Sequence, residues 1–150
     1  MKILFVCTAN ICRSALAASV LRKKLLQKGL TDIMVDSAGV RDLSDQPYDS
    51  QMASIARRAG YDMDGYAKYI ASSSMLEDAD LIICMEHYHL VEVQKQLPYA
   101  KWNRIRLFNE ICFNEHTNMP DPSGDTEYMY HYVFDKIIEG CDNIVMTLSK

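Results

Sequence analysis

Cys7-Thr8-Ala9-Asn10-Ile11-Cys12-Arg13-Ser14 decides how the rest of this 150-residue chain is read. Just before it, Ile3-Leu4-Phe5-Val6 is a short apolar run suited to a buried strand. After it, Ala17, Val20, Leu21 and Leu25 recur at helical spacing. The octapeptide therefore joins the carboxyl end of a strand to the amino end of a helix, where unpaired N–H groups and the helix dipole face an anion. The same field stabilises a thiolate, which makes Cys7 a candidate nucleophile.

Spacing supplies a second part. If the loop curls around a tetrahedral dianion, Thr8, Ala9, Asn10, Ile11 and Cys12 surround it, and Arg13 returns to lay its planar fork on two oxygens above Cys7. Ser14 is placed to donate to the sulfur. Asn10 is the residue best suited to a left-handed turn within the loop.

Composition narrows the rest. A chain of 150 residues is expected to form one domain, and 49% hydrophobic with 24% charged residues disfavours disorder. A net charge of −4 offers no broad basic surface, which argues against nucleic acid as a partner. The apolar run near the amino terminus is too short for a signal-peptide core or a membrane span, so a cytoplasmic, membrane-free protein is expected. Five cysteines, at 7, 12, 84, 112 and 141, form no regular framework, and reduced thiols are expected. Cys84 lies in an apolar strand pattern and reads as a core residue.

Apolar runs alternate with helical patterns. They predict strands near 2–6, 33–36, 80–84 and 104–108, and helices near 14–28, 48–59, 74–78, 87–96 and from 125 to 140 or beyond. Alternation of this kind implies parallel pairing with right-handed crossovers. Gly29, Gly60 and Pro98 act as stop signals, and Ser74 with Glu77 fits a capping box. In the last helix Tyr130, Val133, Phe134, Ile137 and Cys141 make a core stripe, with Tyr128, Tyr130 and Tyr132 read as packing residues. His87 and His89, two apart on a helix, cannot converge on a metal and read as surface histidines. Asp42, Asp45 and Asp49 fall in a polar loop and read as solvated, while Asp36 and Asp80 border strands.

Thiolate attack on phosphorus needs a proton for the departing oxygen and later an activated water, and one carboxylic acid can serve both. Asp121 is the best candidate, because Pro120 and Pro122 stiffen its loop and Gly124-Asp125 returns the chain toward a helix. By itself an Asp-Pro pair marks only a turn.

These residues resemble the low-molecular-weight protein tyrosine phosphatases. The family's signature of strand, Cys, five residues, Arg, Ser is matched at Cys7, Arg13 and Ser14, with its Asn-Ile-Cys at Asn10, Ile11 and Cys12. Asp36-Ser37-Ala38-Gly39, Asp80-Leu81-Ile82-Ile83-Cys84-Met85-Glu86 and Pro120-Asp121-Pro122 match further segments in order. The resemblance implies an α/β, three-layer, flavodoxin-like fold: a four-stranded parallel sheet with helices on both faces. It implies metal-independent, cofactor-free hydrolysis of phosphotyrosine through a phosphocysteine on Cys7, with Asp121 as general acid and base. Ser37 would hold Asn10. Cys12 either fills space beneath the loop or traps oxidised Cys7 as a disulfide.

The chain also departs from the family. Ser123 and Gly124 stand where animal members carry two tyrosines, and Leu43 where an aromatic often meets substrate; Ser123 and Leu43 are therefore the expected pocket residues. A loop-bracing histidine corresponds to Gly65, so bracing of Asn10 is expected to be either reduced or rebuilt through Tyr66. Ala15 replaces the usual proline. The expected partners are a phosphotyrosine protein, a tyrosine kinase as its counterpart, and inorganic phosphate or another oxyanion as inhibitor, the chain itself acting as a monomer. Alternatives are a thiol-dependent arsenate reductase, a phosphoarginine phosphatase or a non-catalytic phosphate-binding module. The reductase needs two further cysteines near the third strand, where Cys84 stands alone. The phosphoarginine enzymes tend to carry Thr at the position of Ile11.

Overall fold

The computed structural model describes residues 1–150. Four strands, β1 (Lys2–Cys7), β2 (Met34–Gly39), β3 (Leu81–Cys84) and β4 (Ile105–Leu107), form one parallel sheet in the order β2-β1-β3-β4. Six helices connect and cover it: α1 (Arg13–Gln27), α2 (Ser50–Arg58), α3 (Ser73–Glu77), α4 (His87–Gln94), α5 (Phe108–Phe113) and α6 (Glu127–Leu148). The fold is the α/β, flavodoxin-like arrangement expected. Cys7 ends β1, where the strand order reverses between β1 and β3. Open parallel sheets bind ligands at such a switch point, outside the strands' carboxyl ends.

Side chains along β1 alternate between two cores. Ile3, Phe5 and Cys7 pack with α1, α2, α5 and α6, whereas Leu4 and Val6 pack with α3, α4 and Ile70. A strand covered on both faces must be apolar at every position, which is why Ile3-Leu4-Phe5-Val6 shows no polar alternation. On α6, Tyr130, Val133, Phe134, Ile137, Gly140, Cys141 and Ile144 are buried at helical spacing. A Cβ at Gly140 would stand 2.4 Å from the Phe108 ring, so only glycine lets α6 approach α5 this closely. No helix is long and apolar enough to cross a membrane.

Several expectations are corrected. The 3₁₀ turn over Tyr99–Arg104 and helix α5 were not anticipated; α5 begins at the residue after β4, with no turn signal between them. Ser74 and Glu77 form no capping box: the cap position of α3 is Ser72, whose hydroxyl pairs with that of Ser74 at 2.7 Å. Tyr128 and Tyr132 face solvent, at 75% and 43% exposure, and only Tyr130 packs inward. Asp49 is not solvated but caps α2, accepting from the Met52 N–H at 2.9 Å, and also accepts from the Tyr130 hydroxyl at 2.8 Å. Loss of hydration at half-buried Asp49 is offset by these bonds. His89 is fully buried, for reasons given below.

Candidate active site

Residues 7–14 curl at the switch point. Asn10 sits at the bend with φ 62°, a left-handed conformation that its short amide tolerates. Its side chain is wholly buried and points away from the cleft: Nδ2 donates to Ser14 Oγ and to Ser37 Oγ, each at 2.8 Å, and Oδ1 accepts from the Lys68 N–H at 2.8 Å. The third brace is thus a backbone amide of the segment beside β2, not Tyr66, which is 64% exposed. Ser14 Oγ also lies 2.8 Å from Cys7 Sγ. Gly39 closes the loop from below. A Cβ there would meet the Ala9 carbonyl carbon at 2.6 Å and the Thr8 oxygen at 2.8 Å, so the end of β2 must be glycine. The Arg41 N–H and the Val40 N–H bond to the Thr8 and Cys7 carbonyls, fixing the loop's entry.

Arg13 opens α1 yet is only 2% exposed. Its guanidinium donates to the Met119 carbonyl at 2.6 Å and lies 2.8 Å from Glu86 Oε2 and 3.8 Å from Asp121 Oδ2. Burial of so strong a cation is tolerated because two carboxylates and a carbonyl compensate it. Asp121 approaches from the loop before α6, where it accepts from the Ser123 N–H at 3.0 Å; its side chain is 49% exposed. Cys7, Thr8, Ala9, Ile11, Cys12, Arg13, Asp121 and Ser123 line one cleft of about 100 Å³. Leu43, expected in the pocket, is not among them; it lies on the loop after β2 and is 41% exposed, its side chain turned to solvent instead of the cleft. Asn10 and Ser14 do not line the cleft either, since both turn inward.

Cys12 is 2% exposed, and burial, reinforced by Asp49 and Cys7, raises its thiol far above the ordinary range. Cys12 is thus held as a neutral thiol. Burial likewise raises Cys84, which is a core residue of the second cluster.

Three groups that contact the cleft's Arg13 and Thr8 were missed by sequence reasoning. Glu86 ends the third strand's segment and pairs with Arg13; His89 bonds to Thr8 Oγ1 at 2.8 Å and accepts from the Glu86 N–H at 3.0 Å; the Met119 carbonyl precedes the proline-bounded loop. The available signal was Glu86-His87-Tyr88-His89, an N-cap with a side chain three residues on that can answer it, which is capping-box spacing. Larger clefts exist elsewhere, such as one lined by Lys24, Lys28, Asp142 and Met146, but no cysteine lines it.

A cysteine sulfur, a buried guanidinium and a half-exposed carboxylic acid around a helix amino terminus can bind a tetrahedral oxyanion and transfer its central atom. Known proteins resemble the chain along its whole length. Residues 2–150 match the family described as low molecular weight phosphotyrosine protein phosphatase. The low molecular weight protein-tyrosine-phosphatase Etp of Escherichia coli K12 is 30% identical over 148 residues, 99% of this chain and 95% of that protein. A crystal structure of a protein tyrosine phosphatase from Entamoeba histolytica, with Hepes in the active site, superposes with TM-score 0.91 at 31% identity, covering 99% of this chain and 97% of that one. The YwlE arginine phosphatase superposes with TM-score 0.92 at 23% identity, covering 100% and 97%, a likeness of fold. The chain belongs to the low-molecular-weight phosphotyrosine protein phosphatase family.

Proposed function

We propose that this enzyme hydrolyses phosphotyrosine in phosphoproteins through a covalent phosphocysteine. The observation that carries the reading is the convergence of Cys7, Arg13 and Asp121 on one cleft. In the first step the Cys7 thiolate attacks phosphorus and the P–O bond to the aryl group breaks, with Asp121 giving its proton to the phenolate oxygen. Arg13 and the loop N–H groups balance the charge on the equatorial oxygens. In the second step Asp121, now a carboxylate, takes a proton from water. The water oxygen attacks phosphorus, the P–S bond breaks, and phosphate leaves while the thiolate is regenerated. Ser14 Oγ, 2.8 Å from the sulfur, supports the thiolate as a hydrogen-bond donor.

Ile11 at the cleft favours an aromatic leaving group, because an apolar rim gains from covering a ring. All five cysteines are free, which supports action in a reducing compartment such as the cytoplasm. The test is turnover of a phosphotyrosine peptide against a phosphoarginine peptide, each with and without chelator. Faster hydrolysis of phosphotyrosine, unaffected by chelator, supports the reading. A preference for phosphoarginine would shift the substrate, and loss of rate in chelator would overturn the metal-independent route.

A further inference from the structure

His89 takes no part in the steps above, yet it is a fully buried polar side chain in contact with Thr8, which lines the cleft. Its Nδ1 accepts from the Glu86 N–H, the cap of α4, at 3.0 Å. A ring nitrogen that accepts cannot carry a proton, so the neutral imidazole bears its hydrogen on Nε2. Nε2 lies 2.8 Å from Thr8 Oγ1 and 3.8 Å from Glu86 Oε2, so the hydrogen bond runs to Thr8. Thr8 Oγ1 then accepts, and its own proton is free to point elsewhere. Thr8 lines the cleft beside Cys7 and Asp121. Protonation of the ring is opposed by burial and by the Arg13 guanidinium, which push His89 down to about 4 and keep the tautomer fixed at neutral pH.

We propose that His89 is a positioning residue that commits the Thr8 hydroxyl to donate to an oxygen of the tetrahedral anion held in the cleft. One capping element at α4 thereby serves both sides of the anion: the Glu86 carboxylate steadies Arg13, and its backbone N–H sets the ring that sets Thr8. The proposal rests on the phosphate-monoester reading of the cleft but concerns how the anion is bound.

The test measures inorganic phosphate affinity by titration calorimetry on the intact protein, with aryl phosphate turnover in parallel. Thr8→Val, which keeps the side chain's shape, should weaken phosphate binding roughly tenfold, the worth of one hydrogen bond to a charged group. His89→Leu should weaken it similarly, and the double variant no further, because the two residues act as one unit. Thr8→Ser and His89→Gln, which restore a hydroxyl and an amide with both an acceptor and a donor, should recover most of the affinity. Wild-type affinity in folded Thr8→Val overturns the proposal, as does full additivity in the double variant, and Thr8→Val decides the matter even if His89→Leu fails to fold. Lost affinity in Thr8→Val alongside a wild-type protein without turnover would sustain the assignment of Thr8 and overturn the phosphatase reading. A wild-type protein that binds no phosphate overturns both.

Discussion

In the loop between β1 and α1, Cys7, Asn10, Arg13 and Ser14 are at most 3% exposed, whereas the Asp121 side chain, on the loop that meets the same cleft from before α6, is 49% exposed. The first loop is held by buried side-chain bonds from three directions and by the close approach of Gly39. The second is held by its prolines, by an Asp121 turn to the Ser123 N–H and by an Asp125 N–H to the Pro122 carbonyl. Charge stabilisation demands fixed dipoles that need no reorganisation, so the cradle is part of the core. Proton exchange demands contact with water and a leaving group, so the acid belongs at the rim.

If that division is right, substitutions in the two loops should fail differently. Cys7→Ser should reduce aryl phosphate turnover by at least about 10⁴-fold while retaining phosphate binding, because only the nucleophile is weakened; steady-state rates and calorimetry check both halves, and surviving turnover would sink the covalent route. Asp121→Asn should lower the rate roughly 10²–10⁴-fold, most for poor leaving groups. Because Glu86 and the Met119 carbonyl still hold Arg13 at 2.8 and 2.6 Å, loss of the longer, half-exposed pair to Asp121 should cost no more than about 1 kcal/mol of stability, as read by denaturant titration.

Asn10→Ala should do the reverse of Asp121→Asn and strike stability directly. It strands the Lys68 N–H, removes two donated bonds and puts alanine at φ 62°, together roughly 2–4 kcal/mol by urea unfolding, with phosphate affinity falling alongside. Stability that matched wild type would show that the cradle is not tied to the core. His89 sharpens the same point through pH. Its folded value of about 4 lies below the ordinary 6.5, so between those values the unfolded chain binds more protons. Stability therefore falls as pH drops from 6.5 toward 4, by at most a few kcal/mol from this residue. Melting temperatures of His89→Gln should show a shallower slope over that window than wild type.

The smallest effect is expected at Tyr130→Phe. Burial, with the hydrogen bond to Asp49, raises the Tyr130 phenol to about 12, so the group stays a neutral donor across the usable range. Its loss should cost about 1 kcal/mol. Asp49 retains its cap on α2, and its N–H still reaches the Ile11 carbonyl at 2.6 Å, so turnover should change little. A large fall in rate would mean that α6 supports the cradle more directly than Asp49 alone allows.

Legibility in the sequence followed how local each signal was. Strand, loop and helix around Cys7 could be read because the apolar run, the turn-prone Asn10 and the helical spacing after Arg13 are contiguous. Asp121 stood out only with the family resemblance, because flanking prolines by themselves mark a turn. His89 reads as a surface histidine because spacing of two on a helix speaks only to metal binding, and nothing near it in sequence announces Thr8, 81 residues away. Asp49 was half legible: its cap on the Met52 N–H is local, but its second partner, Tyr130, is 81 residues distant. Gly39 stood in the quoted strand ending, but its need for a bare backbone arises from Ala9 across the loop.

The four strands, the helices that carry a periodic apolar stripe, the apolar strand buried on both faces and the candidates for nucleophile and guanidinium partner were thus set by the sequence itself, since each depends on neighbours along the chain. Which groups brace the cradle, which carboxylate shares Arg13 with Asp121 and which histidine leaves water were decided only when β1, β3 and the loops came together. Those roles depend on loss of hydration, and a side chain loses its water only when residues remote in the chain close over it.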